Sequence, residues 1–214
     1  HPYDNLSEKR VYRSERHWDA VERAFIGERA AAGEGPFRFV DVGANAGLYT
    51  LAARSAARAA GRPFAGVAVE PQAEMLARLA FNLDASGAAA DVTVLPWAAA
   101  ARAGELTLAV PVRNRGAAGC AESGVTVPAR PLVEALEVAG LDGVDVLKID
   151  IEGQEGPVLA AFFATAPRRW WPRAIIVEAG RGDLDLPGAR VCLDEGYEVE
   201  ATTRMNALLR WTDA

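Results

Sequence analysis

The chain is short of the residues that announce several common chemistries. Its 214 residues include two cysteines, Cys120 and Cys192, and two histidines. Neither cysteine sits in a CxxC pair or beside paired histidines, so neither a disulfide framework nor a zinc site is indicated, and a reducing cytoplasm is the expected compartment. No apolar run approaches the roughly 18 residues that a spanning helix needs. Basic charge is scarce too: 23 Lys and Arg against 29 Asp and Glu leave −6, the wrong balance for a protein that grips nucleic-acid phosphates. The opening "HPYDNLSEKRVYRSERHW" has no apolar signal-peptide core and no initiator methionine, which points to missing upstream sequence rather than a secreted precursor.

What is present suits one sizeable core. Half the residues are hydrophobic and about a quarter charged, and the length favours one domain with a short extension, residues 1–36 ahead of 37–214. From Ser14 onward Trp18, Val21 and Phe25 fall at helical spacing, predicting an amphipathic leading helix that stops at Gly33. "FRFVDV" then reads as a buried strand and the segment from Gly47 to about Ala60 as a helix. "AGVAVE" is a second strand, and "PQAEMLARLAFNLDASG" a helix with Pro71 in its first turn and Met75, Leu79 and Leu83 facing inward. "DVTVLPW" is a third strand, followed by a hairpin through "GELTLAV" that turns near Gly104. Residues 112–124 carry no hydrophobic period and read as a loop. Beyond it come a helix in "RPLVEALEVAG", strands in "VDVLKIDIEG" and "RAIIVEAG" around a helix, and a terminal hairpin turning at Asn206. Strands alternating with helices call for a parallel sheet with right-handed crossovers, an α/β architecture.

Ligands of such sheets sit at the carboxyl ends of the strands, beside the first strand–turn–helix unit. Here that unit is "DVGANAG". Gly43 and Gly47 let ligand atoms approach the main chain, and the N–H groups opening the next helix favour a carboxylate or phosphate. The glycines fall as G-x-x-x-G, with Asn45 where a dinucleotide fingerprint has its second glycine, which disfavours a pyrophosphate. Glu70 ends the second strand 23 positions past Gly47, about where an acid meets ribose hydroxyls. An adenosyl group with an amino-acid tail fits these positions: carboxylate near the helix start and Thr50, ammonium near Asp41, ribose on Glu70. The plain alternative is that these acids and glycines form turns and caps.

The second constellation is "VDVLKIDIEGQE". With a period of two, Lys148, Asp150 and Glu152 share one side of the strand, and three charges in a row need partners or a cleft. Beside the first strand, Asp150 and Glu152 would emerge at a ligand's reactive end, where a carboxylate accepts a hydroxyl proton. The competing account is an internal ion pair from Lys148 plus an acidic turn at Gly153.

"FVDVGANAGLYT", "AVEPQAEMLARLAFN", "VLKIDIEGQEGPVL" and "IIVEAG", in this order, resemble the FkbM-type methyltransferases from about Phe37 to Trp211. The resemblance implies the class I methyltransferase fold, a Rossmann-like, seven-stranded, mostly parallel sheet with helices on both faces. It implies S-adenosylmethionine as cofactor, held at Asp41, Gly43, Asn45, Gly47, Thr50 and Glu70, and methylation of a hydroxyl on a small molecule or carbohydrate. It also makes Lys148, Asp150, Glu152 and Glu178 the cluster at the reaction end. "PWAAAA" departs from the family's small polar stretch near the adenine, and Trp97 is a candidate to stack there. His17 is a candidate base on the leading helix, the loop around Arg113 and Asn114 a substrate lid, and "PRRWWPR" either a homodimer or carrier patch or tryptophans covered by arginine stems. Two rival classes stay open at this point: a nucleotide-binding oxidoreductase on a similar sheet, and a binding module that has lost its chemistry.

Overall fold

The computed structural model describes residues 5–14, 18–109, 119–120, 123–180 and 183–212. The predicted alternation becomes a seven-stranded sheet in which β1 (Phe37–Val42) is flanked by β2 (Phe64–Val69) and β8 (Val146–Ile149). Outward from β2 lies β3 (Val92–Leu95); outward from β8 lie β9 (Ala174–Glu178), β11 (Asn206–Trp211) and β10 (Tyr197–Thr202). Every pairing is parallel except those of β11, which runs antiparallel to both neighbours. Strand order therefore reverses between β1 and β8, and the crevice at their carboxyl ends is where such sheets take ligands.

The central strands are apolar on both sides because helices cover both. Phe37, Phe39, Val146 and Ile176 face α2 (Ala20–Ala32) and α3 (Leu48–Ala59). On that side Ala68 meets Leu79 and Leu83 of α4 (Ala73–Ala85). Val40, Val42, Leu147 and Ile149 face the other way, into a core shared with α5 (Leu132–Ala139), α6 (Glu155–Thr165) and α7 (Pro187–Asp194). Trp170 and Trp171 are buried in that core with Arg168 and Arg169 lying over their rings.

Arg62 welds the leading segment to the sheet. Its buried guanidinium donates to the carbonyls of Arg29, Ala30, Glu34, Gly35 and Pro36 and lies 3.6 Å from Asp145.

Three expectations need correction. The leading helix expected from Ser14 is α2, which begins after Asp19 in a left-handed conformation at φ 38, and a separate helix α1 (Leu6–Arg13) precedes it. The buried face of α2 carries Glu22, Phe25 and Ile26 and leaves Val21 exposed. The hairpin through Gly104 does not form either. β4 (Ala98–Ala100) and β5 (Gly104–Ala109) both pair with β7 (Val125–Pro131), which lies between them in a second sheet completed by β6 (Gly119–Cys120). Pro128 and Pro131 hid β7, since proline argues against an inner strand. Finally, β8 stops at Ile149, so the period of two does not carry Glu152 onto the face of Lys148; Glu152 instead turns back with φ 55.

Candidate active site

The glycine loop is held by its own bonds. Gly43 and Ala44 donate their N–H groups to the Val69 carbonyl at 2.9 and 3.1 Å, Gly47 donates to Ala44 at 2.8 Å, and Ala46 donates to the Asn45 side chain at 2.8 Å. Asn45, at φ 52, donates to Glu70 Oε2 at 2.8 Å. Glycine is needed here for conformation and clearance, not for bared amides: Gly43 has φ 77, and a Cβ on it would fall 2.1 Å from the Asp150 carbonyl oxygen. At Gly47, φ 83, a Cβ would fall 2.4 Å from Leu79 Cδ1. In the first turn of α3 the Thr50 N–H goes to Asp41 and the Leu51 N–H to the Gly47 carbonyl, so the N–H groups left to a ligand there are those of Leu48 and Tyr49.

Glu70 closes β2 with both oxygens engaged, Oε2 by Asn45 and Oε1 by the Gln72 N–H at 2.9 Å. Burial pushes its carboxyl above the ordinary range, against the pull of those two N–H groups. Each carboxylate oxygen keeps a further lone pair, and Glu70 lines a cleft of about 580 Å³, open mouth included. Gly43 and Gln72 share its polar side, and Ala98, Ala99, Leu106 and Leu108 form an apolar wall from the second sheet. Cys120, exposed on β6, also lines it.

Asp41 and Thr50 stand behind this surface. Asp41 is fully buried; its Oδ2 accepts from the Thr50 hydroxyl at 2.7 Å and the Thr50 N–H at 3.1 Å, and its Oδ1 faces Lys148 Nζ at 3.7 Å. Neither Asp41 nor Thr50 lines the cleft, and both side chains brace the start of α3. Trp97 does not line the cleft; it packs against the main core with Arg130 5.5 Å above its ring.

The reaction-end residues converge, though not as a strand face. Lys148 is buried beside Asp41, 3.6 Å from Asp150 Oδ2 and 3.3 Å from the Gly43 carbonyl that accepts its proton. Burial alone would lower its pKa, but Asp150 and Asp41 on either side more than offset that, leaving it above the ordinary lysine value. Asp150 and Glu152 both line the cleft. Burial, then Asp150 and Glu155, push the Glu152 carboxyl up. Glu178, at the end of β9, is pushed up to about 7 by burial and by the neighbouring charges of Asp150, Glu155 and Glu152. Carboxylate oxygens of Asp150, Glu155 and Glu178 lie within 4.8 Å of one another.

Glu155 was not singled out from the sequence, although "GQE" contains it. It is buried, and it accepts the N–H groups of Ile151 at 2.6 Å and Gly153 at 3.0 Å, fixing the turn that presents Asp150 and Glu152. No local pattern marks the Tyr49 hydroxyl, which donates to Asp19 at 2.9 Å and sets its ring 5.2 Å from Lys148 Nζ. His17, Arg113 and Asn114 lie outside the described residues.

The comparisons agree with this geometry. The FkbM methyltransferase of Methylobacillus flagellatus matches with a TM-score of 0.53 at 16% identity, over 84% of this chain; the chain spans 44% of that protein's length. The precorrin-6y C5,15-methyltransferase of Geobacter metallireducens matches at 0.53 and 14% identity, over 89% of this chain and 87% of that one. The SAH-bound Podospora anserina methyltransferase PaMTH1 matches at 0.53 and 12% identity, over 97% of this chain and 85% of that one. At such identities these likenesses show the fold, a class I methyltransferase sheet. No curated protein matches the sequence. The family described as the Methyltransferase FkbM domain matches residues 41–186, more than half of the chain, from the aspartate of the glycine loop to the start of α7. The chain belongs to the FkbM methyltransferase domain family, whose cofactor is S-adenosylmethionine.

Proposed function

We propose that this chain transfers a methyl group from S-adenosylmethionine to a hydroxyl oxygen of a small molecule or glycan. The observation that carries the reading is the composition of the one cleft at the switch point. Glu70, the apolar set Ala98, Ala99, Leu106 and Leu108, and the carboxylates Asp150 and Glu152 line it together. Those acceptors and apolar surfaces fit an adenosyl group. Glu70 would hold ribose hydroxyls through its free lone pairs, Ala98, Ala99, Leu106 and Leu108 would flank the base, and Gly43 would border the methionyl part. Asn45 and Gly47 shape the loop for this, while Asp41 and Thr50 hold it in place.

The cofactor, when bound, supplies a methyl carbon made electrophilic by its sulfonium. The chain's share is to orient the acceptor oxygen and remove its proton. Orientation supplies most of the rate in such a transfer, and a positioned base about 10²–10⁴-fold more. Asp150 is the proposed base: it lines the cleft and has Lys148 at 3.6 Å to balance its charge. Glu178 and Glu152, both raised by burial, are placed to hydrogen-bond the acceptor or share its proton. The test is transfer of labelled methyl from S-adenosylmethionine to cell extract. An alkali-stable methyl ether is expected. Label released by mild alkali marks a carboxyl ester and overturns the hydroxyl assignment.

A further inference from the structure

A second cleft, of about 1070 Å³ with its open mouth, is lined by the end of α1, the start of α2 and the β10–β11 turn. Its rim carries three arginines, Arg10 and Arg13 from α1 and Arg204 from the turn. Among the described residues none of these three guanidiniums has a hydrogen bond or ion pair, whereas Arg29, Arg38, Arg54, Arg62, Arg78 and Arg210 are all paired with acids. In a chain of net charge −6, three cations against the two carboxylates Asp19 and Glu22 give this hollow a positive excess, with Arg10 acting on Asp19 through its charge.

The acids of this cleft are already committed. Glu22 accepts from the Thr203 hydroxyl at 2.7 Å and the Asn206 amide at 2.9 Å, and Asp19 accepts from Tyr49. Trp18 and Met205 add apolar surface. Both walls lead to the reaction end. On one side Asp19 joins Tyr49, whose ring neighbours Lys148 and through it Asp150. On the other the Met205 carbonyl accepts the Ala179 N–H at 2.7 Å, next to Glu178, and Asn206 stands opposite Glu178 in the β9–β11 register.

We propose that this cleft anchors the methyl acceptor, and that the anchor is an oxyanion, a phosphate or carboxylate borne by the same molecule that offers the hydroxyl. Guanidinium forks match both groups in bidentate geometry, while the acids and hydroxyls beneath suit the acceptor's remaining polar groups. The inference rests on the methyltransferase reading and narrows its substrate class to anionic hydroxylated molecules.

The experiment is calorimetric titration of the whole chain, in the presence of S-adenosylhomocysteine and at constant ionic strength, with glucose 6-phosphate, glucuronate and glucose. At least one of the two anions is expected to bind about tenfold or more tightly than glucose, and which one does separates a phosphate from a carboxylate anchor. Arg10→Gln, Arg13→Gln and Arg204→Gln are each expected to weaken that binding about tenfold, with Arg→Lys at the same positions intermediate and Arg58→Gln, on the exposed end of α3, without effect. Anions bound no better than glucose, or weakened equally by Arg58→Gln, overturn the proposal. A separate titration with S-adenosylhomocysteine alone reads the underlying assignment: no binding there removes the methyltransferase reading, whereas binding that survives in all arginine variants, together with unchanged anion affinity, removes only the anchor.

Discussion

Two loops meet at the switch point, one after β1 and one after β8, and they are built alike. Each contains a non-glycine residue in the left-handed region, Asn45 at φ 52 and Glu152 at φ 55. Each is pinned by a buried glutamate that accepts two main-chain N–H groups: Glu70 from Asn45 and Gln72, Glu155 from Ile151 and Gly153. They differ in what they leave free. The first loop consumes its amides internally and braces the helix behind it through Asp41 and Thr50. The second sends Asp150 and Glu152 into the cleft half exposed. On the function proposed above, a rigid rest for a cofactor and an accessible pair of carboxylates for chemistry are the same device with different side chains left over.

The sharpest way to break this comparison is Asp150→Asn. Turnover should fall by about 10²–10⁴-fold while affinity for S-adenosylhomocysteine holds; full turnover would show that the second loop carries no base. Next is Gly43→Ala, which forces an L residue into φ 77 and drives a Cβ against the Asp150 carbonyl. A loss of about 2–4 kcal/mol in urea unfolding is expected, and since the clash joins both loops, cofactor affinity should fall with it. Unchanged stability would mean the loops do not touch as described.

Glu155→Gln and Glu70→Gln probe the two pins side by side. Each keeps one acceptor and loses a charge, so about 1–3 kcal/mol is expected from each. Glu155→Gln should lower kcat more than cofactor affinity, and Glu70→Gln the reverse; identical kinetic signatures would erase the division of labour. The smallest effect is the pH dependence from Glu178. Its carboxyl is raised to about 7 in the fold, so the folded chain binds more protons than the unfolded one between about 4.5 and 7. Stability from this group is present below that window and lost as pH rises through it. Urea midpoints at pH 5 and 8 should differ less in Glu178→Gln than in the parent.

What could be read ahead of the structure followed from periodicity and punctuation. β1, the turn at Gly43 and α3 show because an apolar run ends in an acid, glycines and a helical period within a dozen residues; Glu70 shows because it ends the next apolar run. What could not be read depends on partners far along the chain. β7 pairs with both β4 and β5 although its prolines disguise it. Asp19, left-handed just ahead of α2, marks where that helix begins, and its Tyr49 partner lies 30 residues away. Trp97 reads as part of the third strand, but β3 ends at Leu95, two residues before it.

Arg62 sets a limit on how this protein can be cut. Five carbonyls between Arg29 and Pro36 converge on its guanidinium, so a variant pruned at residue 37, the border that composition suggests, would strip it of all five acceptors and leave it Asp145 and the Phe37 ring. The seam a protein engineer would choose by eye is therefore the wrong place for scissors, and grafting this catalytic unit onto another scaffold requires carrying α2 along with it.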